Sequence, residues 1–408
     1  MNDILERVIL VGISSSTRPD ADSSLDELEE LAKTAGAVTV GRIVQAREYE
    51  HPNTYVGTGK LEEIKDLIYK TDATGIICDD ELSPAQMSTL EKELDTKVMD
   101  RTVLILDIFA SHARTSEGKI QVELAQLRYS LTRLHGYGKS MSRLGGGIGT
   151  RGPGESKLES DRRVVRGRIS KLKADLLEVV KQRDVKRVRR DKSNIPVISI
   201  VGYTNAGKST LLNALTNADV LSEDKLFATL DPTTRGYKLL SGEEVLLTDT
   251  VGFISKLPHH LVDAFKSTLE EAKYADIIVH VVDASDPNAF FKMEVVYETL
   301  KNLKVEGKPI ITVFNKCDIS GMEHGIKDLV SQKSINVSAK TGEGLEAFSK
   351  AIEELLMERK AYIEKLFSFN EAGRIQIIRK NGQLLSEEYR EDGIFVKAYV
   401  PKELANSL

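Results

Sequence analysis

The 408-residue chain has no stretch of about 18 apolar residues, which excludes a helical membrane span. It holds two cysteines, Cys78 and Cys317, too few for a metal cage and no hint of a disulfide framework. The opening residues, Met1 to Glu6, lack the basic-then-apolar layout of a secretion signal, so a reducing, cytoplasmic setting is expected. Low-complexity tracts and internal repeats are missing too. What is present is the composition of a folded protein, with 41% hydrophobic and 29% charged residues. The length suggests roughly two to four domains.

Charge is unevenly spread. Residues 110–193 hold 21 Lys/Arg against 9 Asp/Glu, an excess of +12; the remainder carries −17, and together they give the net −5. An acidic chain with one basic segment suits binding a polyanion at one place while staying soluble elsewhere, although a solvated helical face has the same signature.

Four pieces are expected, at 1–112, 113–193, 194–360 and 361–408. In the first, strands at 7–12, 37–45, 75–79 and 97–99 alternate with helices at 24–35, 60–69 and 84–94, the pattern of a small α/β domain with a largely parallel sheet. In the second, Ile120, Leu124, Leu127, Leu131 and Leu134 form one heptad stripe, and Leu158, Val165, Ile169, Leu172, Leu176 and Val179 form another. Such stripes bury a seam against another helix. Eight glycines between Gly136 and Gly154 predict a long irregular loop between the stripes, hence a helical hairpin with a flexible basic tip. The third piece returns to strands and helices. In the last, strand-like runs at 374–379 and 394–400 are expected, with a turn at Asn381-Gly382.

The chemistry lies in the third piece. The apolar run 197–201 leads into Gly202-Tyr203-Thr204-Asn205-Ala206-Gly207-Lys208-Ser209, a G-x-x-x-x-G-K-S phosphate loop between a strand and a helix. Its backbone N–H groups suit β-phosphate oxygens, with Lys208 reaching the β- and γ-phosphates and the Ser209 hydroxyl a Mg²⁺ ligand. Asp249-Thr250-Val251-Gly252 follows a second apolar run; Asp249 is placed to hold the metal through water, and the Gly252 N–H to meet the γ-phosphate. Asn315-Lys316-Cys317-Asp318 selects the base, because a carboxylate at 318 accepts from N1–H and the 2-amino group of guanine, which adenine does not offer. Ser338-Ala339-Lys340 is expected to back the base with a main-chain N–H. Between the first two loops, Thr229, Thr233 and Thr234 all have the chemistry to close on Mg²⁺ and the γ-phosphate.

Two weaker features have ordinary readings. Gly57-Thr58-Gly59-Lys60 is too short for a phosphate loop and reads as a helix start, and His259 and His260 read as surface histidines. Phe253 follows Gly252 where Ras-type enzymes carry a glutamine that orients the attacking water. A phenyl ring has no group for that task, so slow intrinsic hydrolysis is expected, accelerated when a partner orders the switch loops.

This set of loops, with Phe227-Ala228-Thr229-Leu230-Asp231 between the first two and Gly145 to Glu155 ahead of them, resembles the HflX family of translation-factor-class GTPases over nearly the whole chain. The resemblance implies that residues 227–231 contact GTP and that Thr229 is a second Mg²⁺ ligand, which makes Lys208, Thr229 and Gly252 the expected catalytic set. It further implies association with the ribosome, chiefly the large subunit and its RNA, and splitting of stalled or idle ribosomes. On that reading the basic hairpin meets RNA, with Arg143, Arg151 and Lys157 as candidate contacts. Asn205 resembles an asparagine that related GTPases use with K⁺. The alternative reading is a GTP-gated RNA-binding module acting on another RNA or an RNA-modifying partner. The heptad stripes pair most simply within one chain, so a monomer is expected. The expected fold is α/β: a P-loop GTPase domain with a parallel-rich sheet, preceded by a small α/β domain and a helical hairpin, and followed by a small α+β domain.

Overall fold

The computed structural model describes residues 5–16, 20–141, 153–191, 195–216, 226–227, 232–256, 271–319 and 327–406. At the N-terminal end, β1 (Arg7–Ser14), β2 (Val38–Ala46), β3 (Gly75–Cys78) and β4 (Lys97–Asp100) form an all-parallel sheet in the order β2-β1-β3-β4. Helices α1 (Ala21–Thr34), α2 (Thr58–Thr71) and α3 (Pro84–Leu94) connect the strands. Leu25, Leu28 and Leu31 of α1 are fully buried, each contributing roughly 1.5–3 kcal/mol. The bounds of α3 match the sequence reading because local chemistry sets them. Ser83 and Gln86 form a capping box, and Pro84 occupies the first turn, where its missing N–H costs nothing.

The sequence reading missed α4 (Arg101–His112), which starts immediately after β4. It is buried on most of its surface, through Leu104, Ile105, Leu106, Ile108 and Phe109, so it lacks the polar face that marks an amphipathic helix.

Helices α5 (Ser116–Met141) and α6 (Pro153–Asp191) pack antiparallel, as the cross-pairs Arg168–Glu123 (2.7 Å) and Arg183–Glu117 (3.1 Å) require. Their seam joins Leu124, Ile169 and Leu172 to Ile120, Leu127, Leu131, Val165 and Leu176, the two stripes read from the sequence. The irregular tip is shorter than expected. Gly136 and Gly138 lie inside α5, and Gly154 inside α6. A glycine in a helix costs about 1 kcal/mol relative to alanine, which a propagating helix can absorb. Residues 142–152, including Arg143 and Arg151, lie outside the described residues, as does the side chain of Lys157.

A six-stranded sheet follows, from β5 (Val197–Gly202), β6 (Thr233–Lys238), β7 (Glu244–Asp249), β8 (Ile277–Asp283), β9 (Ile310–Asn315) and β10 (Lys333–Asn336). Its order is β10-β9-β8-β5-β7-β6, parallel except for the edge strand β6. Helices α7 (Lys208–Thr216), α8 (Glu271–Tyr274), α9 (Ala289–Asn302) and α10 (Leu345–Glu358) belong to this part. The loops that begin at Gly202, Asp249, Asn315 and Asn336 each leave the C-terminal end of a strand, the edge at which open α/β sheets bind ligands.

His280 on β8 is buried, with its ring edge-on to Tyr297 at 4.9 Å between centroids. Burial pushes its pKa down to about 4, against the pull of Asp328. The unfolded chain therefore takes up a proton near pH 6.5 that the folded chain refuses until about pH 4. Stability is full above pH 6.5 and is lost as pH falls through that window, by about 2 kcal/mol at pH 5. Denaturant midpoints at pH 7 and pH 5 should show this loss in the wild type and a smaller one in His280→Gln; an equal loss in both proteins would contradict it.

The C-terminal part is an antiparallel sheet, β11 (Lys360–Phe367), β12 (Gln383–Arg390) and β13 (Gly393–Pro401) in the order β11-β13-β12, with α11 (Ala372–Asn381) against it and α12 (Lys402–Ala405) at its end. The expected strand at 374–379 is this helix. Ile375 and Ile378 are buried three residues apart while Ile377 is 42% exposed, so the spacing that wins is helical, not alternating. The strand expected at 394–400 is present as β13.

Candidate active site

Strand β5 delivers the phosphate loop and α7 leaves it. Gly207 has φ +92°, and a Cβ there would lie 2.1 Å from the side-chain amide of Asn315, so the loop closes only around glycine. The Lys208 ammonium is buried and donates to the carbonyl of Tyr203 at 2.8 Å. Burial lowers its pKa to about 8, with Asp249 pulling the other way. The Ser209 hydroxyl donates to Asp249 Oδ2 at 2.7 Å, which brings the two expected metal-site residues together from the start of α7 and the end of β7.

Asn315 is the hinge pin between the phosphate side and the base side. Its amide donates to the carbonyl of Ala206 (2.9 Å) and accepts from the N–H of Ala339 (3.0 Å). Of the main-chain N–H groups in 338–340, that of Ala339 is thus engaged by Asn315 in this structure. Ser338 is fully buried and accepts from the Thr341 N–H at 3.1 Å, closing that loop. Lys316 stands in a left-handed conformation, φ 62°, and pairs with Asp283 at 2.7 Å. Cys317 donates its N–H to the carbonyl of Val337, and Asp318 is exposed at the same rim.

The Thr250 hydroxyl donates to the carbonyl of Ile200 (2.8 Å), and Val251, Gly252 and Phe253 are all buried. The Phe253 side chain is 2% exposed and belongs to the apolar cluster that includes Tyr203, Val251 and Phe227. Phe227 packs edge-on against Phe109 of α4, with ring centroids 4.6 Å apart. Ala228, Thr229, Leu230 and Asp231 lie outside the described residues, as do His259 and His260. Thr233 opens β6 opposite Asp249, and Thr234 bonds the Thr248 hydroxyl at 3.0 Å. The Gly57–Lys60 run begins α2, with Gly57 as its N-cap, as read.

Sequence reasoning did not find the partners that reach these loops from the N-terminal part. Tyr203 donates its hydroxyl to Glu27 at 2.8 Å, across 176 positions of chain. No local motif marks such a contact.

A strand-ended phosphate loop, an aspartate at the end of the neighbouring strand, and an N-K-x-D loop over the same sheet edge define a P-loop GTPase. Three family models match: GTP-binding GTPase N-terminal over residues 22–110, GTP-binding GTPase Middle Region over 112–190, and 50S ribosome-binding GTPase over 197–316. The GTPase HflX of Lacrimispora saccharolytica is 62% identical over 408 residues, 100% of this chain and 96% of that one. The GTPase HflX of Caldanaerobacter subterraneus subsp. tengcongensis is 50% identical over 403 residues, 99% and 93%. Among solved structures, a GTP-binding protein from Sulfolobus solfataricus in complex with GDP is 26% identical, covering 87% of this chain and 99% of that chain at a TM-score of 0.46. The chain belongs to the HflX family of GTPases, and it binds and hydrolyses GTP. No helix among the described residues is long and apolar enough to cross a membrane.

Proposed function

We propose that this GTPase is a ribosome-responsive switch: GTP binding prepares it to engage the large subunit, and hydrolysis releases it after it has split a stalled or idle ribosome. The observation that carries this reading is the footing of the basic hairpin. Arg183 of α6 lies 3.1 Å from Glu117 of α5 and 3.8 Å from Glu271 of α8, so the hairpin is braced against the GTPase sheet's own elements. RNA phosphates pulling on the hairpin would be felt at the nucleotide loops. The description of the model matching 197–316, a 50S ribosome-binding GTPase, favours the large subunit.

Within the site, Lys208 faces the β- and γ-phosphates, the Gly252 N–H meets the γ-phosphate, and Asp318 reads guanine. The donor set suits Mg²⁺. A serine hydroxyl beside an aspartate carboxylate is a hard-oxygen pair. Ser209 and Thr229 would hold it directly, and it would neutralise charge on the phosphates. Asn205, at φ 59°, is the candidate partner for K⁺, to be judged by turnover in potassium against sodium. Phe253, buried in an apolar cluster, leaves water orientation to a group supplied on docking. Arg143, Arg151 and Lys157 are the RNA contacts on this reading, and the protein works as a monomer in the cytoplasm.

With a non-hydrolysable GTP analogue, the protein should co-sediment with isolated large ribosomal subunits and come off as salt rises; with GDP it should stay in the supernatant. Failure to pellet with the analogue would favour the other reading, a GTP-gated module for a different RNA.

A further inference from the structure

A buried polar cluster lies between the N-terminal sheet and the nucleotide loops. Arg101, 2% exposed at the start of α4, bonds Asp79 Oδ1 at 2.8 Å, Glu27 Oε2 at 3.0 Å and the Ser255 hydroxyl at 3.3 Å. Glu27 also accepts from the hydroxyls of Tyr203 and Ser255, each at 2.8 Å, and the Ser255 N–H donates to the Tyr203 hydroxyl at 2.7 Å. Lys256 reaches back to Asp79 and to Asp80, the latter at 3.0 Å. Burial disfavours the ionised form of Asp79, yet Arg101 and Lys256 outweigh it and hold its carboxyl below the usual range.

The cluster meets the nucleotide side at two places, Tyr203 in the phosphate loop and Ser255–Lys256, three and four residues beyond Gly252; Ser24 on Asp79 (2.6 Å) and Tyr55 on Asp80 (2.7 Å) anchor it within the N-terminal part. Buried ion pairs give little net stability, because desolvation offsets the attraction, and their best-attested use is to fix one geometry. The geometry fixed here is a closed one. Thr204 donates its N–H to the carbonyl of Phe253 (2.8 Å), and Phe253 donates its N–H to the carbonyl of Gly202 (3.1 Å). A methyl on Gly252 would lie 2.9 Å from both the Lys208 amine and the Thr204 Cα, so the loops touch where a γ-phosphate has to reach both Lys208 and Gly252. The Asp249–Gly252 loop must then withdraw as the γ-phosphate arrives. Lys256, at φ 53° and paired through its ammonium with both aspartates, restrains that withdrawal, whereas a β-phosphate alone asks nothing of it.

We propose that Asp79 and Asp80, with Glu27 and Arg101 behind them, are positioning residues that set the preference between GDP and GTP by holding Ser255 and Lys256 in the closed arrangement. This rests on the nucleotide assignment above. Linkage makes it reciprocal: γ-phosphate binding loosens the N-terminal contact by the factor that the contact weakens γ-phosphate binding.

The test is equilibrium affinity of the full chain for GDP and for a non-hydrolysable GTP analogue. Lys256→Met should raise affinity for the analogue about five- to thirtyfold and leave that for GDP within about twofold. Asp80→Asn should shift selectivity the same way, and Lys256→Arg should restore the wild-type ratio. Equal changes for both nucleotides, no change in either, or selective weakening of the analogue would overturn the proposal. Wild-type protein that binds neither nucleotide would instead overturn the nucleotide assignment.

Discussion

Lys208→Ala is expected to remove GTP turnover, by roughly a hundred- to thousandfold or more, without unfolding the protein. The side chain is 6% exposed, and its ammonium rests on the carbonyl of Tyr203 at the mouth of the phosphate loop. Burial has already lowered its pKa to about 8, so the fold maintains a desolvated charge that a phosphate would relieve. An ammonium aimed in advance at developing phosphoryl charge stabilises the transition state without reorganisation, and alanine removes that charge outright. The alanine variant also sheds the desolvation cost, so its thermal midpoint should match or exceed that of the wild type. Single-turnover GTP cleavage and a melting curve on the same preparation separate the two effects. Wild-type cleavage by the variant would remove Lys208 from the chemistry.

Asp318→Asn should exchange the base. The carboxylate takes two N–H donors from guanine, and hydrogen bonds to a charged partner contribute about 1.5–3 kcal/mol each, so GTP affinity should fall on the order of a hundred- to several thousandfold. An asparagine amide presents one acceptor and one donor. Xanthine presents N1–H and a 2-carbonyl, the matching pair, so the variant should gain affinity for xanthosine triphosphate while losing it for GTP. The exposed rim position of Asp318 makes a folding defect an unsuitable explanation for such a swap. Competition of the two nucleotides for one labelled probe reads the result, and a variant that still prefers GTP would displace Asp318 as the base reader.

Much of this site was legible in the sequence because its signals are local. Gly207 is required by a positive φ and the side-chain amide of Asn315; Asp249 and Asn315 end strands that apolar runs announce, and Lys208 and Ser209 open the helix that follows another. The hairpin seam was legible for the same reason, since a heptad stripe needs only its own spacing. Where two periods compete over six residues, as in Arg374–Arg379, the tertiary contacts of Ile375 and Ile378 decide, and the strand reading failed. Helix α4 escaped because burial on most sides erases its pattern. The Glu27–Tyr203 and Arg101–Ser255 bonds join residues 176 and 154 positions apart, and no spacing within one segment encodes them. Those long-range contacts turn a set of GTP loops into loops that another part of the chain can restrain.

The most direct test of the account is steady-state GTP hydrolysis measured with and without isolated large ribosomal subunits, with Lys208→Ala run alongside. Phe253 is buried and carries no group to orient water, so the protein alone should turn over slowly. Adding subunits should raise the rate saturably, by at least about tenfold, while Lys208→Ala stays flat in both conditions. A rate that does not change at subunit concentrations where the protein pellets with them would contradict a ribosome-responsive switch.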